Sequence, residues 1–129
     1  MRLSLVLILG IAVLASAGAG WAHPPKDVRV EFNPDNHMLM VTAIHDTKDA
    51  TKHFVGDIAV DLNGEKLIDQ KFKSQPSMDM QMGHYLISDA KIGDKLTVTA
   101  ACNIAGKKAV TLTIERPKPV PAPAQGQGK

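Results

Sequence analysis

The stretch FVGDIAVDLNGEKLIDQKF, Phe54 to Phe72, decides how the rest of the chain is read. Ile58, Val60 and Leu62 fall on alternate positions, the period of a strand with one face on a core. Asn63-Gly64 follows at once. That pair accepts positive φ at both centre positions of a two-residue hairpin, the geometry that matches strand twist. Leu67, Ile68 and Phe72 then carry the apolar pattern into a returning strand.

The same grammar extends outward. Val28, Val30 and Phe32 alternate with Arg29 and Glu31, and Pro34-Asp35-Asn36 makes a turn. Met38 to Ile44 is a second strand, and Phe54 to Leu62 the third. Ser77 to Ser88 can hold a fifth. Gly93-Asp94 is a turn, Lys95 to Cys102 alternates Leu96, Val98 and Ala100 against threonines, and Ala109 to Ile114 is the last strand. No segment sustains a helical period. About seven short strands separated by turn signals predict an all-β fold, an immunoglobulin-like antiparallel β-sandwich. With aromatics at 4% the core must rest on Val, Ile, Leu, Met and Ala.

Two flanks differ from this body. Arg2, the apolar run Leu3 to Ala15 and the small residues Ala17 to Ala22 have the plan of a secretory leader over residues 1–22. Cleavage after Ala22 makes His23 the first residue; Ala17 is the alternative point. The leader is too short for a membrane span, so the expected location is periplasmic or secreted. At the other end RPKPVPAPAQGQGK, residues 116–129, has proline at every second position from Pro117 to Pro123. Proline there forbids helix and ladder alike, which predicts an extended tail. The domain is therefore expected over residues 23–115.

Charge excludes one class of partner. Of 15 Lys and Arg the leader removes Arg2 alone, leaving 14 against 13 Asp and Glu. No basic stripe with interleaved aromatics is present, so nucleic acid is not an expected partner. The single cysteine, Cys102, cannot form an internal disulfide. It is either a small buried side chain or a metal ligand.

His45 closes one strand and His53 opens the next, with a loop of seven residues between them, and Cys102 ends another strand. Imidazole and thiolate gathered where loops converge suit iron, copper or zinc. The alternative is that both histidines are polar loop residues and Cys102 packs as a small hydrophobe.

IHDTKDATKHFVGDIAVDLNGE together with KIGDKLTVTAACNIAG resembles the iron-binding domain of the desulfoferrodoxin and superoxide reductase family. The resemblance runs from His23 to Ile114. It implies an immunoglobulin-like sandwich and one ferrous iron, held by four equatorial histidines and an axial cysteine, that reduces superoxide by one electron. Carried over by position, Cys102 matches the axial thiolate, His45 and His53 the loop histidines, and His23 the first histidine. Superoxide and an electron-donor protein are the implied partners. The last histidine of the family motif is Ala105 here, which leaves the plane one ligand short. Asp46 stands where the family has proline, and the family's Glu-Lys pair has no clear match. His37 and His84 are the remaining imidazoles that could take the vacated place.

A separate pattern is MDMQMGH, with Met78, Met80, Met82 and His84 at period two. On a strand these share a face, and thioether sulfur favours Cu(I). A copper-binding module on these residues, with His23 contributing amine and imidazole, is the second functional reading. Pro24 has no N–H, so a backbone-amide chelate cannot form there. The plain alternative is three methionines filling gaps in the core. A third reading is a metal-free interaction scaffold.

Overall fold

Asn63 and Gly64 both have positive φ, 50° and 86°, as the hairpin requires. They join β3 (Val55–Leu62) to β4 (Glu65–Lys71) in the computed structural model, which describes residues 22–121. The leader region and the end of the tail lie outside the described residues. The other strands are β1 (Asp27–Asn33), β2 (Met38–Ile44), β5 (Met80–Leu86), β6 (Lys95–Cys102) and β7 (Lys107–Thr113).

All pairings are antiparallel and make two sheets, β1-β2-β5 and β4-β3-β6-β7. Seven strands in two facing sheets are the β-sandwich that the alternation predicts. The boundaries of β2 and β6 match the expected ones, and the fifth strand is shorter than Ser77 to Ser88 because Gln75 to Asp79 turns into a loop.

The core follows the period of two. Leu39, Val41 and Ala43 of β2 face Ile58 and Val60 of β3 and Leu96, Val98 and Ala100 of β6, and all are fully buried. Each large aliphatic group so buried stabilises the fold by about 1.5–3 kcal/mol. The reading of the methionines as core filler does not hold. Met82 is 44% exposed, because alternation on β5 turns Gln81, Gly83 and Tyr85 inward and Met82 out, and Met78, in the loop before β5, is 63% exposed.

Tyr85 is the only tyrosine of the chain, and its hydroxyl is buried with no partner. Burial pushes its pKa up to about 12. In an alkaline titration followed by phenolate absorbance, the midpoint is expected near 12 and not near 10. Denaturation should restore the ordinary value. The unfolded chain loses this proton first, so stability falls as pH rises above about 10.

Two details of β3 set up one end of the sandwich. Its pairing with β6 shifts register between Val55 and Asp57, a bulge at Gly56. A Cβ on Gly56 would stand 3.1 Å from that of Asn103. The start of β3 is thus pressed against the loop that follows Cys102.

Candidate metal centre

His23, His45 and His53 converge at this end. Each can offer a ring nitrogen, and the three donor atoms lie within 4.8 Å of one another. The ring centroids are 4.6 Å apart for His45 and His53, 4.8 Å for His23 and His45, and 5.0 Å for His23 and His53. A bound ion with metal–nitrogen bonds of about 2.0–2.1 Å holds cis ligands about 3 Å apart and trans ligands about 4 Å apart. With the donors within 4.8 Å of one another, ion binding would need the side chains to draw in to that spacing.

Each histidine is held by a different device. His45 continues the inward face of β2 beyond Ile44, and its backbone N–H donates to the Asp79 carbonyl at 2.9 Å. Its ring is fully buried. The Gln75 side chain fixes that ring. Gln75 Nε2 donates to the carbonyls of His45 (2.9 Å) and Ser77 (2.8 Å), which identifies the other amide atom as oxygen. That oxygen accepts from the Val55 N–H at 3.2 Å and lies 3.1 Å from His45 Nδ1. Nδ1 must therefore carry the proton, and Nε2 is left with a free lone pair. Nε2 is buried and has no protein partner.

His53 sits between two residues clasped by Asn103. Asn103 Oδ1 accepts from the Phe54 N–H at 2.8 Å, and its Nδ2 donates to the Lys52 carbonyl at 3.0 Å. Asp49 shapes the loop before it, accepting from the N–H groups of Lys52 and His53. His53 Nε2 is also buried without a partner. Burial, and then the neighbouring His45 and His23, hold the His53 pKa below its usual value of 6.5. The ring is thus in the neutral, ligating form at neutral pH.

His23 arrives from the amino-terminal segment. Gly106, with φ 89°, lets that segment close in: a Cβ there would come within 2.8 Å of the Pro24 nitrogen. The Lys26 N–H donates to the Ile44 carbonyl at 2.7 Å, and Lys108 Nζ donates to the Lys26 carbonyl at 2.7 Å. His23 Nδ1 lies 3.0 Å from the Pro24 carbonyl and donates to it, which frees Nε2.

His23 and His53 open onto a cleft of about 650 Å³ that Asp46, Thr47, Lys48 and Asp49 also line. Asp46 is paired with Lys26, whose ammonium holds its carboxyl below the usual range.

Cys102 stands outside the histidine group. It ends β6 on the inward face, 8% exposed. Its backbone N–H donates to the Gly106 carbonyl at 2.9 Å. Its Sγ accepts from the Ile104 N–H at 3.5 Å and lies 3.9 Å from Asn103 Oδ1, on the residue that clasps His53. Ala105 is exposed in the same loop.

The other two histidines do not join the centre. His37 lies in the turn before β2, at φ 57° against Phe32, while His45 follows the far end of that strand. The strand between them spans roughly 25 Å. His84 faces outward from β5, whereas His45 faces in. Neither joins the three-histidine group.

Gln75 was not among the residues that sequence reasoning singled out. A glutamine in a polar loop carries no signal until the fold buries it. No family model matches the chain, and no curated protein is significantly similar to it.

Proposed function

We propose that this chain is an exported mononuclear metal-binding protein that holds iron through His23, His45 and His53. Cys102 stands outside the three-histidine group, and its Sγ would have to turn toward the ion to add the thiolate that the superoxide reductase resemblance implies. The observation that carries this reading is the pair of buried ring nitrogens, Nε2 of His45 and of His53, with no protein partner. A buried polar atom left unpaired costs about 1–3 kcal/mol, and a metal bond would offset that cost. Imidazole with a soft thiolate fits iron. Export rests on the leader pattern of residues 1–22.

When bound, ferrous iron would supply the one electron that, with two protons, takes superoxide to hydrogen peroxide. The chain's own residues bind and orient. Gln75 and Asn103 hold two of the imidazoles in place. Lys48 stands in the cleft wall beside Asp46 and Asp49. Ala105 can supply no donor, so the set is one histidine short of the plane that the superoxide reductase resemblance implies.

The test is iron content after anaerobic ferrous loading, followed by oxidation and a visible spectrum. About one iron per chain is expected, with a sulfur-to-iron charge-transfer band that Cys102→Ser removes. Iron without that band would restrict the site to the histidines. Absence of bound iron after loading would sink the iron reading.

A further inference from the structure

The outer face of the β1-β2-β5 sheet carries a second set of soft donors that the three-histidine centre does not use. Register decides which residues meet there. Met40 on β2 is the direct cross-strand partner of His84 on β5, and the neighbouring outward pair is Thr42 with Met82. Direct partners have Cβ atoms about 4.5–5.5 Å apart and diagonal ones about 7–8 Å, within reach of side chains as long as methionine. His84 therefore has the Met40 thioether across from it and the Met82 thioether beside it on its own strand. Met38, opposite Leu86, is diagonal to the same imidazole.

These donors stand in solvent. Met40 and Met82 are each 44% exposed, His84 is exposed, and β5 is the edge strand of its sheet. The opposite sheet packs only on the inner face, against Leu39 and Val41. On β1, Glu31 lies directly across from Met40 and adds a negative charge to the patch.

We propose that Met40, Met82 and His84 form a binding site for a soft monovalent cation, with Cu(I) as the physiological class. Two thioethers and one imidazole select Cu(I) over hard divalent ions. Met80 lies one pleat further along β5, beside Ile44. Met78 precedes the strand, where its carbonyl accepts from Thr47, so it belongs to the other end of the sheet. The site is independent of the three-histidine centre, because His45 points to the opposite face of the same sheet.

The experiment uses the full chain and its Cys102→Ser variant, which removes the competing thiol. Cu(I) is titrated anaerobically against a colorimetric chelator. Ag(I) serves as a redox-inert probe of the methionine ε-methyl resonances. One equivalent of Cu(I) is expected, and Ag(I) should shift the methyl signals of Met40 and Met82 but not that of Met78. The double variant Met40→Leu/Met82→Leu nearly conserves volume on an exposed face, so the fold is kept. It should weaken Cu(I) binding more than tenfold, while His45→Gln leaves it unchanged. Equal affinity in the double leucine variant would overturn the proposal. So would unmoved methyl signals, or loss of binding in His45→Gln, which would assign the ion to the histidine centre.

Discussion

Replacing His45 by alanine is expected to lower the chain's affinity for a divalent ion by more than about 100-fold. Loss of an outer hydrogen-bond partner of a metal ligand alone costs about 10–100-fold, and in the proposed site His45 is itself a ligand. It is also the histidine with the most committed geometry. Its ring is fully buried, its Nδ1–H is bound to Gln75 Oε1, and its Nε2 is buried without a protein partner. Competition against a chelator of known affinity reads the effect directly. His37→Ala is the matched control, because His37 lies at the other end of β2 and should leave affinity unchanged. An equal loss in the two variants would mean that the three-histidine group is not the site.

The second large effect is expected at Gln75, which touches no ion. Gln75→Leu leaves four polar groups without their partner: His45 Nδ1, the Val55 N–H, and the carbonyls of His45 and Ser77. Each buried group left unpaired costs about 1–3 kcal/mol, though local relaxation and water recover part of the sum. A net loss of about 3 kcal/mol in urea unfolding of the metal-free chain is the expected result. The freed His45 ring also loses its fixed tautomer, so metal affinity should drop by about 10–100-fold. Gln75→Glu separates the two effects. It keeps an acceptor for His45 Nδ1 but loses the donor to the two carbonyls. Stability should therefore suffer more than affinity. If Gln75→Leu unfolds at the wild-type urea concentration, the glutamine does not brace the site.

How much of this was legible beforehand differs between fold and site. Ile58, Val60 and Leu62, with Asn63-Gly64 after them, state a strand and a hairpin in local terms. Alternation and turn chemistry act between near neighbours, so they survive in a one-dimensional reading. His45 and His53 were legible for the same reason: a short loop joins two strands whose ends it must bring together. His23 was weaker. Its approach depends on Gly106, more than eighty positions away, admitting Pro24. Gln75 and Asn103 are ordinary polar residues until burial gives their amides one possible set of partners. The methionine pattern predicted one shared face for Met78, Met80, Met82 and His84, but β5 begins at Met80, so Met78 falls in the loop before it, and only the fold decided that Met82 and His84 face outward.

The sequence alone therefore determined the all-β class, the strand positions and the candidate ligand types, since each follows from period and composition. Only the tertiary structure decided which residues meet. Three histidines from three segments converge, His37 and His84 stay away, and Met40 lies across from His84. Those outcomes depend on the sheet each strand joins and on its register. Register shifted by one residue turns every side chain to the other face, so it is fixed by burial of the whole core and not by any local run of residues.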